Sequence, residues 1–241
     1  MFFSGKTNGK AGLIFLEMSN SMKEIIDDQH INGLGAQYGY ALRHRMIVRE
    51  LKLIHPKLKK DLPLHISELF VYLLESSKTG TILYLSKLYD RRSKGSKTRS
   101  IEKFINQIQS CKIDIISNDF LLELLWPKFI NRHSNLILKH PDLNVSCKKF
   151  LNVVQLKIKF MEGIGQPIYN IRIWRDKFIA HSERYDESFK MEDEEIETLL
   201  ELANFLLDYV NSFVNTGNAV FTDRANSSFV RELFKDYINI S

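Results

Sequence analysis

The sequence is poor in the residues that interrupt helices: 11 Gly and 5 Pro are spread over 241 residues. A sandwich or barrel of short strands needs turn signals at short, regular intervals, and this chain does not supply them. Long helices are what that scarcity leaves. Cysteine is scarcer still. Cys111 and Cys147 lie far apart and match no CxxC or zinc spacing, which argues against a disulfide-built secreted fold and fits a reducing cytoplasm. Long apolar runs are missing as well. Phe120 to Trp126 is cut by Glu123 and stopped by Pro127, far short of the roughly 20 residues that cross a bilayer. The apolar patch after Lys6 and Lys10 ends at Glu17, too short for a signal-peptide core. The expected location is therefore the cytoplasm, with no membrane partner. His30, His44, His55, His65, His133 and His140 show no HExxH or other ligand spacing, so neither a metal nor a cofactor is expected.

Two nucleotide motifs also fail. The SGKT at Ser4–Thr7 has no preceding strand and no upstream glycine to complete a phosphate loop, and Gly33, Gly35 and Gly39 miss the GxGxxG spacing. What is present is moderate positive charge, +5 overall with a pI near 9.0. It is unevenly placed. Lys87, Arg91, Arg92, Lys94, Lys97, Arg99 and Lys103 face only Asp90 and Glu102, so this short stretch carries as much net charge as the whole chain. Arg91, Arg92, Lys94, Lys97 and Arg99 form a candidate RNA-binding surface, where each cation would release counterions from phosphate. A solvated loop with helix-end lysines is the competing account.

Hydrophobic content of 44% and charged content of 26% are those of an ordinary globular chain. Residues 1–10 read as a flexible lead-in, and 11–241 as one helical domain whose motif-bearing core spans about 145–215. A helix is expected from Gly35 to Leu58, with Tyr40, Ile47, Leu51, Ile54 and Leu58 as its apolar stripe. Another starts near Pro63 and is expected to break at Thr79-Gly80, with a short helix from Thr81 to Asp90 after it. Helices follow at 100–110 and 117–138, the latter bent or broken at Trp126-Pro127. His140-Pro141-Asp142 marks a turn, and Val145 to Met161 resumes the pattern. The clearest helix lies at 188–215, where Ile196, Leu199, Leu200, Ala203, Leu206, Leu207, Val210 and Phe213 form a broad stripe. Its acidic start, Glu192 to Glu195, suits the helix dipole, with Ser188 or Asp186 as cap. After a loop at 215–225, a last short helix reaches Tyr237.

Residues Pro167–Asp186 read PIYNIRIWRDKFIAHSERYD. On a wheel of about 100° per residue, Ile171, Trp174 and Phe178 form a narrow apolar seam. Arg175 borders it on one side and His181 on the other. From the residues alone, Arg175 is a partner for neighbours of Asp176 or for the carboxylates of Glu192–Glu195. On the same footing His181 is a helix-end residue favoured by the dipole. Asp90 either approaches this surface or balances Arg91 and Arg92, and the second is the expectation.

The run Arg175-Asp176-Lys177-Phe178-Ile179-Ala180-His181 resembles the Arg–His signature of the HEPN superfamily. Its wording, together with LSKLYD (Leu85–Asp90) and the following SIEKFINQI, is similar to the abortive-infection AbiU-like branch. The likeness spans about residues 35–215, with those two patches distinctive. It implies an all-α helical bundle, HEPN-like, with additional N-terminal helices. It also implies a homodimer whose two motifs face one cleft, and metal-independent cleavage of RNA. In that chemistry His181 would serve as general base and acid at the 2′-hydroxyl and the leaving 5′-oxygen. Arg175 would hold the scissile phosphate, and Asp176 would orient one of them. A phage-defence effector or a toxin with an antitoxin partner is the implied setting. A non-catalytic module that binds RNA, a nucleotide or a protein is the alternative. Glu183 stands two residues after His181, where toxins controlled by nucleotidyltransferases carry a tyrosine, so that mode of control is not expected.

Overall fold

The computed structural model describes residues 33–91, 100–110, 119–180, 191–214 and 228–238. Among them are nine α-helices and no strand; the one β-bridge joins Leu58 to Ile238. The fold is all-α. The helices are α1 (Leu34–Ile54), α2 (Leu64–Leu88), α3 (Ile101–Ser110), α4 (Asp119–Arg132) and α5 (Ser134–Lys139). Then come α6 (Phe150–Met161), α7 (Pro167–Trp174), α8 (Asp193–Tyr209) and α9 (Ser228–Phe234).

Helices α1 and α2 form a long antiparallel pair. Tyr40 stacks on Tyr84 near one end, with ring centroids 5.0 Å apart, and His55 meets Phe70 at 5.5 Å near the other. The expected break at Thr79-Gly80 does not occur, and α2 runs unbroken for 25 residues. Gly80 serves close packing instead. A Cβ there would lie 2.7 Å from the His44 ring, which is itself stacked on Tyr84. The buried stripe of α1 is also offset from the expected one. Leu34, Tyr38, Ala41, Arg45, Val48 and Leu51 turn inward, so a charged residue lies on the core side.

Helix α4 passes through Pro127 and ends at Arg132, with the turn at His133. Pro127 and Glu123, one turn apart, both lie on the exposed side, where water can take the carbonyl that a proline cannot serve. Helix α8 is buried on most of its circumference, as befits the central helix of a bundle. Leu199, Ala203, Phe205, Leu206, Leu207 and Tyr209 are fully enclosed. Its end gathers an aromatic cluster of Trp126, Phe129, Phe150, Phe205, Tyr209 and Phe213, with Phe150 and Tyr209 stacked at 4.0 Å. Trp126 enters that cluster while its indole N–H donates to the Val145 carbonyl at 3.0 Å, so no donor is lost on burial.

The cap of α8 is Glu192, not Ser188 or Asp186, which lie outside the described residues. Glu192 and Glu195 cap each other's backbone N–H groups reciprocally. Helix α9 closes the far end of the α1–α2 pair, burying Val230 and Phe234 against Leu51, Ile54 and Phe70. No described helix is long and apolar enough to cross a membrane.

Candidate active site

Helix α7 starts at Pro167, a residue pre-set for the first helical turn, after a loop in which Gly165 adopts φ +76°. Ile168 and Ile171 are buried against the core, and Trp174 packs half-buried beside them. The seam read from the sequence is thus correct as far as Trp174. From Arg175 to Ala180 the helix widens into a π turn. The 100° wheel no longer applies there. Such turns are rare and occur frequently at functional sites.

Arg175 leaves this π turn with its side chain 23% exposed. Its Nη1 donates to Asp90 Oδ1 at 2.9 Å, and its Nε donates to Asp176 Oδ1 at 2.7 Å. Two sequence patches that are 85 residues apart therefore meet at one guanidinium. The expected alternative, pairing with the acidic start of α8, is not what the structure holds: Arg45 and Lys52 take Asp193, and Glu195 completes the cap. Nor does Asp90 merely balance Arg91 and Arg92, because its carboxylate lies on Arg175. Partial burial alone would lower the arginine's pKa. The hydrogen bonds to Asp176 and Asp90 outweigh that and raise it above the ordinary arginine value, so the group is a fixed cation.

A second arginine, one turn earlier, organises the same place. Arg172 donates through Nε to the Tyr89 carbonyl at 3.0 Å, and its Nη2 also reaches that carbonyl. Nη2 further pairs with Glu162 Oε1 at 2.5 Å. Glu162 in turn lies 4.0 Å from Arg91, the first residue of the basic run. Tyr89 is anchored from its other end, where its buried hydroxyl donates to the Leu199 carbonyl in α8 at 2.6 Å. Burial pushes that phenol far above the usual tyrosine range, so it remains a donor. Sequence reasoning missed Arg172, Glu162 and Tyr89. The available signal was the three-residue step from Arg172 to Arg175, which puts both on neighbouring positions of one helical face.

Of the residues expected to act, the structure brings together Arg175 and Asp176, while exposed Arg91 lies 4.0 Å from Glu162, the partner of Arg172. His181, Arg92, Lys94, Lys97 and Arg99 lie outside the described residues. A separate cleft of about 470 Å³ opens on the far side of Trp174, lined by Arg45, Lys52, Lys78, Glu75 and Asp193. Its cations are already matched, Lys78 by Glu75 at 2.7 Å and Arg45 by Asp193 at 3.0 Å. Arg175 is matched as well, by Asp90 and Asp176, and differs in that Asp90 immediately precedes the basic sequence.

Comparison with protein-family models gives a match to the family described as AbiU2, of the HEPN group, over residues 23–233. That range contains both sequence patches and every described helix but the last residues of the final turn. Neither the curated proteins nor the solved structures gave a match.

Proposed function

The chain belongs to the AbiU2 family of HEPN proteins, and from that premise we propose that it is a metal-independent endoribonuclease of abortive infection or a toxin–antitoxin pair. The observation that carries this reading is the Arg175 guanidinium. It is held at a partly exposed π turn and fed by the start of a basic segment. A planar, permanent cation of that kind suits the charge that builds on phosphate oxygens as a phosphodiester is cleaved. His181, six positions on, supplies a group that titrates near neutrality. As base it takes the proton of the ribose 2′-hydroxyl, whose oxygen attacks the adjacent phosphorus. As acid it returns a proton to the departing 5′-oxygen. The products are a 2′,3′-cyclic phosphate and a free 5′-hydroxyl. In the same proposal two copies of the chain pair so that their motifs share one cleft, and Arg91, Arg92, Lys94, Lys97 and Arg99 hold the RNA backbone.

The test is incubation of the purified chain with total RNA in excess EDTA. Cleavage with cyclic-phosphate ends is the expected result, absent from Arg175→Ala and His181→Ala. Equal behaviour of all three proteins would refute the reading. One observation favours the non-catalytic alternative: Nε and Nη1 of Arg175 are both engaged by carboxylates, so a phosphate must use the remaining donors. A binding module would show a salt-sensitive RNA shift that survives His181→Ala and weakens on loss of Arg91, Arg92 and Lys94, with no cleavage at any time.

A further inference from the structure

We propose that Asp90 is a positioning residue for Arg175, held in place by Arg172 and Tyr89, so that the guanidinium is presented to phosphate in one fixed orientation. The activity part of this inference rests on the ribonuclease reading above. Its physical basis does not. An arginine side chain carries about 2 kcal/mol of rotamer entropy, and a guanidinium that must meet a phosphate within a few tenths of an ångström cannot be left to sample its rotamers. Here Asp176 takes Nε from the same π turn, and Asp90, just past the end of α2, takes Nη1. With the covalent bond to Cδ, these two bonds restrain the plane of the guanidinium. The Nη2 edge is then the part to which no described carboxylate is bonded within hydrogen-bond range.

The cost of fixing Asp90 supports the same conclusion. Arg172 is largely buried and directs two donors at the single carbonyl of Tyr89, while its Nη1 is buried with no partner among the described residues. Burying a cation with one nitrogen unmatched is unfavourable, and a buried ion pair is weak evidence for stability as such. What this arrangement does fix is the backbone at residues 89 and 90. Tyr89 is tied at its hydroxyl to Leu199, at its carbonyl to Arg172, and at its N–H to Leu85 in α2. A carboxylate meant to swing away as an inhibitory latch would sit on a segment free to move. Asp90 instead follows the most firmly anchored residue of the region.

The experiment uses the full chain with Asp90→Ala and Asp90→Asn, the second keeping an acceptor oxygen where the carboxylate stood. Steady-state RNA cleavage gives kcat and KM, urea unfolding gives the midpoint, and the ¹⁵N signals of the Arg175 Nη groups report how tightly the guanidinium is held at the end that Asp90 bonds. Asp90→Ala is expected to lower kcat about 100-fold. KM should not rise, because removal of a negative charge does not repel phosphate. The unfolding midpoint should stay within a degree or so, and Asp90→Asn should restore most of the loss. The signal of the Nη1 group that Asp90 bonds should be slow to exchange in the wild type, broaden or vanish in Asp90→Ala and persist in Asp90→Asn. A rate that stays the same or increases in Asp90→Ala overturns the inference, since an increase would mark the carboxylate as a competitor of the phosphate. If the wild type itself does not cleave RNA, the ribonuclease reading fails. The NMR signal then decides the matter of Asp90 alone, unchanged Nη signals in Asp90→Ala being the contrary result.

Discussion

Arg45 and Arg175 each hold two carboxylates, yet their surroundings differ in every other respect. Arg45 is 5% exposed, lies on the core side of α1, and binds Asp193 at 3.0 Å and Glu197 at 2.6 Å. Further cations stand behind it, Arg49 on Glu197 and Lys52 on Asp193. Three cations here share two carboxylates, and together they tie the start of α8 to α1 and add to the favourable dipole contact of Asp193. Arg175 stands on a π turn at the molecular edge. Its two carboxylates outnumber it, and one of them, Asp90, immediately precedes a sequence rich in arginine and lysine. The same pair of chemical groups therefore makes a structural clamp in one place and a candidate reactive centre in the other. Burial and the neighbouring charges make the difference.

The largest expected effect that would sharpen this contrast is catalytic. Arg175→Ala and His181→Ala should each reduce RNA cleavage by about 100-fold or more, the range set by loss of an oxyanion-stabilising donor or of an acid–base group. The reading is rates of end-labelled RNA cleavage under single-turnover conditions. Arg45→Ala should do the reverse. Removing one member of a buried ion pair costs several kcal/mol, and because Arg49 and Lys52 still face the two carboxylates a loss of about 2 kcal/mol is expected. Urea unfolding followed by circular dichroism measures it, while the cleavage rate per folded molecule should stay within about twofold. A smaller but similar loss, about 1–2 kcal/mol, is expected for Gly80→Ala, whose methyl would press on the stacked His44 ring.

The smallest effect concerns pH. Burial tends to raise the pKa of Asp193 and Asp208. Hydrogen bonds from Lys52 and Arg45 to the first, and from His133 together with Arg132 to the second, bring both below the ordinary value of 3.8. A carboxylate lowered by folding stabilises the native state above its unfolded pKa, and that contribution fades as the pH falls through the folded value. Stability should therefore be flat from neutrality down to about pH 5 and should decline below 3.8. Asp208→Asn, at the more buried of the two, should flatten that decline. A decline that begins near pH 6.5 would point to histidine instead.

How much of this was legible in the sequence follows from which signals are local. The number and order of helices depended on breaker scarcity and on periodicity, and most came through. Gly80, where a break was expected, and Pro127, where a bend or a break was expected, both lie inside continuous helices for one reason. Both residue types carry an intrinsic penalty in helices, but the penalty is overridden when a glycine admits a neighbouring ring or a proline faces water. Nothing local in the sequence marks Arg45 as buried, because its partners are about 150 positions away. Asp90 was assigned to the arginines beside it in sequence for the same reason. The wheel located the apolar seam through Ile171 and Trp174, since that depends on α7 alone. It could not foresee the π turn, which no proline or glycine announces.

The most direct test places Arg175→Ala and Arg45→Ala side by side, measuring the cleavage rate in EDTA and the urea midpoint on the same preparations. The account predicts that Arg175→Ala loses about 100-fold or more in rate with its midpoint unmoved, and that Arg45→Ala loses midpoint with its rate retained. An Arg175→Ala protein that cuts RNA at the wild-type rate but unfolds at markedly lower urea would contradict it, and would make the second arginine a structural clamp like the first.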